Sequence, residues 1–222
     1  MIGLYVTVPI ASFRRGAARE YWETLPLPSP STVYGFLLSM VGEVDRTCHI
    51  GARCTAGVIG HPDESTVLRK LWRIKDKKLG LGNGSNVRPD YQELLTDVRL
   101  VIWLDSSEEV TESEGTLQQR VAASLTTDGR SRISRFGGLS LGESTHMVDE
   151  VLPIQRAPEL ADESVRMFLL DKSGNFTLPV WVDHVGSSGT RNALGRLIEV
   201  GFEPPDVSRL PKIQDSKVLM TK

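Results

Sequence analysis

Three short stretches bring cations and aromatic rings together. Arg14, Arg15 and Arg19 lie within six residues, next to Phe13, Tyr21 and Trp22. Arg69, Lys70, Arg73, Lys75, Lys77 and Lys78 lie within ten around Trp72, opposed only by Asp76, with Arg88 following. Arg130, Arg132 and Arg135 precede Phe136, Gly137 and Gly138. Guanidinium and ammonium groups neutralise phosphates. Glycines let backbone N–H groups approach them, and flat rings offer stacking faces to unpaired bases. The chemistry available to these stretches is binding of a single-stranded nucleic acid. The same runs would also suit an ordinary solvated face, and Trp72 and Phe136 would suit a core.

Other chemistry is poorly served. None of His49, His61, His146 and His184 has a recognisable nucleophile context, and no H-E-x-x-H, P-loop or dinucleotide fingerprint occurs. Cys48 and Cys54 complete neither a disulfide framework nor a zinc site, so no metal and no cofactor is expected. The carboxylates of DSSEEVTESE (105–114) read as a solvated turn.

The formal net charge is -2, so the whole molecule does not attract nucleic acid. The segregation of bases from acids can still give it one positive face. At 222 residues and 40% hydrophobic content the chain can build one domain with a small appendage. It has no apolar run long enough for a membrane helix and no basic region ahead of its first apolar stretch. A soluble, cytoplasmic protein without a membrane partner is expected.

The elements that must carry these stretches follow from periodicity. Ile2, Leu4, Val6 and Val8 alternate with Tyr5 and Thr7 as in a half-buried strand. Pro26, Pro28 and Pro30 close a long connection. Ser31 or Thr32 then caps a helix whose stripe is Val33, Phe36, Leu37, Met40, Val41 and Val44. Strands are expected at 54–60 and 98–105, with 67–74 the rising arm of a hairpin. KDKKLGLGNGSNVRPDY reads as its mobile tip. A short helix over 116–125 precedes the second glycine-rich stretch. HMVDEVLPI reads as a strand, VRMFLLD and NFTLPVWVDHV as a β-hairpin, and RNALGRLIEVGF as helix or strand. The order approaches βαββαβ, an α+β ferredoxin-like plan.

Two stretches carry a resemblance. LYVTVPIASFRRGAAREYWETLPLPSPSTVYGFLLSMVGE closely resembles the opening of the fifth family of CRISPR-associated proteins, in its DevS-like branch. VLRKLWRIKDKKLG with NVRPDYQELLTDVRLVIWLD, and later SRFGGLSLGES, resemble its following parts. The resemblance covers roughly residues 1–155, and the first forty carry most of its specificity. It implies an RRM-like domain of the RAMP superfamily over 1–155, with a β-hairpin thumb at about 72–92. A β-rich C-terminal extension over 156–222 would follow.

It further implies a subunit of a type I, I-B-like Cascade complex that caps the 5′ handle of the guide RNA (crRNA). Partners would be the backbone subunit, the large subunit, and target DNA at the PAM-proximal end. The RNA-binding residues expected are Arg14, Arg15, Arg19, Tyr21, Trp22, Lys75, Lys77, Lys78, Arg88, Arg130, Arg132, Arg135, Phe136, Gly137 and Gly138. In one subtype such proteins cleave the precursor RNA with a Tyr, a Lys and a His. Here no Lys-His pair follows the thumb, and lysine at its ordinary pKa of about 10.4 is a poor base. A noncatalytic role is therefore expected. The alternatives are a metal-independent endoribonuclease, with Tyr21 or His61 at its site, and a protein-only scaffold.

Overall fold

The computed structural model describes residues 1–16, 18, 21–72, 74–80, 83–111, 114–157 and 163–214. Strand β1 (Ile2–Ala11) and the 19-residue β6 (Val87–Asp105) form its axis, antiparallel in the register Leu4↔Ile102, Val6↔Leu100, Val8↔Val98. On one side β6 pairs with β1 and then, further along, with the two-residue β2 (Tyr21–Trp22). On its other side it pairs with β4 (Arg53–Ile59) and then β5 (Asp63–Trp72). The described strands give the order β10-β11-β9-β4-β6-β1-β8, with β8 at Glu150–Pro153, β9 at Val165–Leu170, β10 at Phe176–Trp181 and β11 at Arg191–Val200. A small second sheet joins β3 (His49–Ile50) to β7 (Val110–Thr111).

Two cores lie on opposite faces because side chains alternate. Leu4, Val6, Val8, Leu100, Ile102 and Leu104 lie in one core with α1 (Pro30–Met40) and α2 (Leu117–Ser124), through Val33, Phe36, Leu37, Leu117 and Val121. Tyr5, Val101, Trp103 and Met167 pack on the other with Leu210. Val8 and Ala11 share the first core, as do Leu95 and Val98, three residues apart instead of two. Asp97 takes a φ of 53° there, resetting the alternation where the hairpin leaves the sheet.

Helix α1 begins earlier than its stripe suggests. Ser29 is the cap, its Oγ accepting from the Thr32 amide, and Pro30 fills the first helical position, where its missing N–H costs nothing. Gly42 (φ 69°) follows its C-terminus, so Val44 stands exposed outside the helix. Thr116 and Gln119 form a reciprocal capping box on α2. A further short helix, α3 (Thr127–Ser131), occupies the stretch read as a loop.

At the C-terminus, β9 pairs with β4 and extends the main sheet. The expected β9–β10 hairpin does not form. Both strands pair with β11, which lies between them and is a strand, not a helix. Chain proximity favours the hairpin locally, but β11 takes both pairings and offers each strand a full partner.

Candidate nucleic-acid interface

The first basic loop is a ladder that folds back on itself. The Arg15 amide donates to the Glu23 carbonyl and the Leu25 amide to that of Phe13, while Arg14 bridges Thr24. The Thr24 amide donates to Glu93 Oε2, tying the loop to β6. This places the Arg14 guanidinium 4.1 Å from the centroid of the Trp22 ring, with Arg69 at 5.9 Å. Trp22 is thus half-buried between two cations, and its buried Nε1 makes no hydrogen bond among the described residues. Arg15 lies 4.0 Å from the Glu23 carboxylate. Arg19 lies outside the described residues.

Glu143 joins three parts of the interface. It accepts from Arg69 Nη1 at 3.0 Å and from Gln92 Nε2 at 2.7 Å, while Arg69 also donates to Gln92 Oε1. The turn carrying it bonds to the first loop through His146, whose Nδ1 accepts from the amides of Ser12 (3.1 Å) and Glu143 (3.3 Å). Burial lowers the His146 pKa below its ordinary value; Glu143 opposes this and Arg69 adds to it. Gly138-Leu139-Ser140-Leu141-Gly142 has the G-x-S-x-G spacing of a nucleophile elbow. However, Ser140 sits on an isolated bridge to Met147, not at a strand-to-helix turn. His146 spends Nδ1 on backbone amides, so it is not placed as the base of such a serine.

The β5–β6 hairpin presents two unlike faces. In one, Arg69 and Gln92 meet Glu143, and Arg88 Nε lies 3.5 Å from Asp90. The other pairs Leu68 with Tyr91, Lys70 with Pro89 and Trp72 with Val87 across the strands. Tyr21 pairs beside Tyr91, the ring centroids 6.4 Å apart. Leu68 is 61% exposed, Trp72 65% and Tyr91 53%, a large apolar and aromatic surface for one hairpin. At the tip the buried Asn86 side chain accepts from the amides of Lys75 and Asp76. It donates to the carbonyls of Asp76, Leu79 and Gly80. The described tip is therefore organised around one side chain, although its sequence reads as mobile. Lys75, Lys77 and Lys78 are exposed around it, with no ion pair among the described residues.

In the third stretch, Thr126 caps α3, and Ser134 packs on Gly42 at the end of α1. Gly137 takes a φ of 76°, and Phe136 next to it is fully exposed. Arg130, Arg132 and Arg135 are exposed, without ion pair or side-chain hydrogen bond among the described residues. Arg130 and Arg135 line an open cleft of about 280 Å³ with Met40 and Asp149.

Arg14 and Trp22 are brought into contact, while Arg88 is engaged by Asp90. Gln92 and Glu143, which nothing in the sequence marked, organise the interface together with Arg69 of the second basic stretch. Tyr91 was legible as the register partner of Leu68 once β5 and β6 were known to pair.

No family model matches the chain. It is 50% identical over 215 residues to a curated protein of Myxococcus xanthus (strain DK1622) named CRISPR-associated protein Cas5, covering 96% of this chain and 97% of that one. Among solved structures it is similar to a chain described as "CRISPR RNA-guided surveillance complex", with a TM-score of 0.56, 13% identity and 90% of each chain covered. A structure described as "Crystal structure of Cas protein" aligns with a TM-score of 0.44, 17% identity and coverage of 95% and 97%.

Proposed function

The chain belongs to the Cas5 family of CRISPR-associated proteins, and from that premise we propose that it is a noncatalytic subunit of a CRISPR effector that holds the 5′ handle of the crRNA. The observation that carries the RNA reading is the third stretch. There a fully exposed Phe136 and Arg130, Arg132 and Arg135, which make no ion pair among the described residues, run from the end of α3 into one glycine-bearing loop. An apolar ring held in water has no folding rationale, whereas a base stacked on it removes its surface from solvent. Arg14 and Arg15 supply phosphate contacts at the first loop, and Lys75, Lys77 and Lys78 at the hairpin tip.

Strand order β4-β6-β1-β8, with α1 and α2 on one face, supports the ferredoxin-like, RRM-like plan of the RAMP superfamily. The β5–β6 hairpin fits the thumb. Its aromatic face is suited to a protein neighbour, which in a type I, I-B-like Cascade is the backbone subunit. The large subunit and PAM-proximal target DNA complete the partners, in the cytoplasm.

The noncatalytic reading rests on proton chemistry. RNA cleavage needs a proton acceptor at the 2′-OH and a donor at the leaving oxygen. His49 is buried on Glu109 and His146 is committed to two amides, while the exposed His61 and His184 stand beside none of the thumb lysines Lys75, Lys77 and Lys78 in sequence.

The test is binding of a fluorescent repeat-derived 5′-handle RNA, titrated with salt, with and without the backbone subunit. Tight binding is expected to weaken with a log–log salt slope of about -0.7 per phosphate contacted, the RNA staying intact. Cleaved RNA would make the protein an endoribonuclease. No binding in either setting would leave a protein-only scaffold.

A further inference from the structure

Helix α1 carries an unexplained glycine. Gly35 sits mid-helix, where glycine is the least favoured residue after proline. It does not take a positive φ, it is exposed, and a Cβ added there would meet nothing within 4 Å. Neither backbone conformation nor internal packing therefore calls for it. The bare backbone it leaves is open to close approach from outside the chain.

Gly35 lines a cleft of about 390 Å³ between α1 and the end of β10, within the size range of small-ligand sites. Its wall holds an unusual pair. The Arg46 guanidinium stacks 3.7 Å from the Trp181 ring centroid and is fixed by a 2.8 Å bond from Nη2 to the Val182 carbonyl. Ser31, Thr32 and Ser39 add hydroxyls. Thr32 lines both this cleft and a second one, of about 450 Å³, whose wall includes Arg14 and Arg15. Among the described residues neither is lined by an Asp or Glu, in a chain that has 28 of them.

We propose that the cleft beside α1 seats one unpaired nucleotide of the bound RNA, Gly35 leaving the floor bare and Arg46 on Trp181 forming the platform. This deepens the RNA reading above and rests on it. The acid-free lining selects an anionic ligand. The pre-stacked guanidinium offers a plane and fixed donors to a base, and the hydroxyls can meet its polar edge. Arg14 and Arg15 lie where the adjoining phosphates of the strand would pass.

The experiment uses the full chain and handle RNAs carrying 2-aminopurine at successive positions. Its readouts are base fluorescence and affinity. Quenching is expected at one position. Gly35→Leu fills the cleft with a better helix former, so circular dichroism stays native while that quenching disappears and affinity falls about tenfold. Arg46→Gln should lose the same quenching. If both variants bind and quench like the parent, the cleft is not the nucleotide site, although RNA binding stands. If Gly35→Leu spares RNA but abolishes association with the backbone subunit, a protein fills the cleft and the proposal falls. If the parent chain binds no RNA, alone or with the backbone subunit, the RNA reading fails and this site with it.

Discussion

Replacing Asn86 by alanine removes the centre of the hairpin tip. Its side chain accepts two amide bonds, from Lys75 at 2.9 Å and Asp76 at 3.0 Å, and reaches three carbonyls, those of Asp76 and Leu79 at 3.0 Å and Gly80 at 3.4 Å. Two N–H groups cannot serve three carbonyls fully, so about four full bonds are at stake. At about 0.5–1.5 kcal/mol each, their loss costs the tip roughly 2–6 kcal/mol. The tip lies outside both hydrophobic cores, so the loss is local. The melting temperature should move by only a few degrees. Amide exchange at Lys75 and Asp76, followed by NMR or mass spectrometry, should accelerate by at least about 30-fold, the equivalent of about 2 kcal/mol. Asn86→Asp should not rescue it, because a carboxylate accepts the two amides but donates to no carbonyl. Unchanged exchange at these amides in Asn86→Ala would refute the idea that this side chain orders the tip and hence Lys75, Lys77 and Lys78.

Three further outcomes are expected. Phe136→Ala should leave the melting temperature unchanged, since the ring touches little, yet weaken handle-RNA binding by about 1–3 kcal/mol in an anisotropy titration; equal affinity would remove Phe136 from the interface. The Glu109 side chain is fully buried, accepting from His49 Nδ1 at 2.5 Å and from the first amide of α2. Glu109→Ala should destabilise by about 3 kcal/mol in urea unfolding, with Glu109→Gln milder, and a loss under 1 kcal/mol would contradict the role. Burial holds the His146 pKa below 6.5, so the unfolded chain takes up the proton first as pH falls. Stability present above about pH 6.5 is then lost below it. Melting temperature should drop from about pH 7.5 to 5.5 in the parent and less in His146→Asn, whose side-chain oxygen can still accept the amides.

Local signals were legible from the residues alone. Alternation in Ile2–Val8 and the apolar run at 98–105 marked β1 and the inner half of β6, and the stripe from Val33 to Met40 marked α1. The opening forty residues and the glycine-rich stretches carried the family resemblance, which the 50% identical relative bears out. Each of these is written within a window of a few residues, as one period of a helix or strand.

What the window could not hold was decided by tertiary structure. Strand pairing sums hydrogen bonds and burial over distant segments, so β11 came between β9 and β10 although their linker reads as a turn. The difference between a free and an engaged cation depends on its neighbours in space. Arg88 meets Asp90, Arg69 meets Glu143 some seventy residues away, and Arg130, Arg132 and Arg135 meet none among the described residues. Arg46 and Trp181 are farther apart still along the chain, and they share a wall only because α1 packs against β10. Residue type sets which interactions a side chain is capable of; the fold, by choosing its neighbours, sets which of them remain open to a partner.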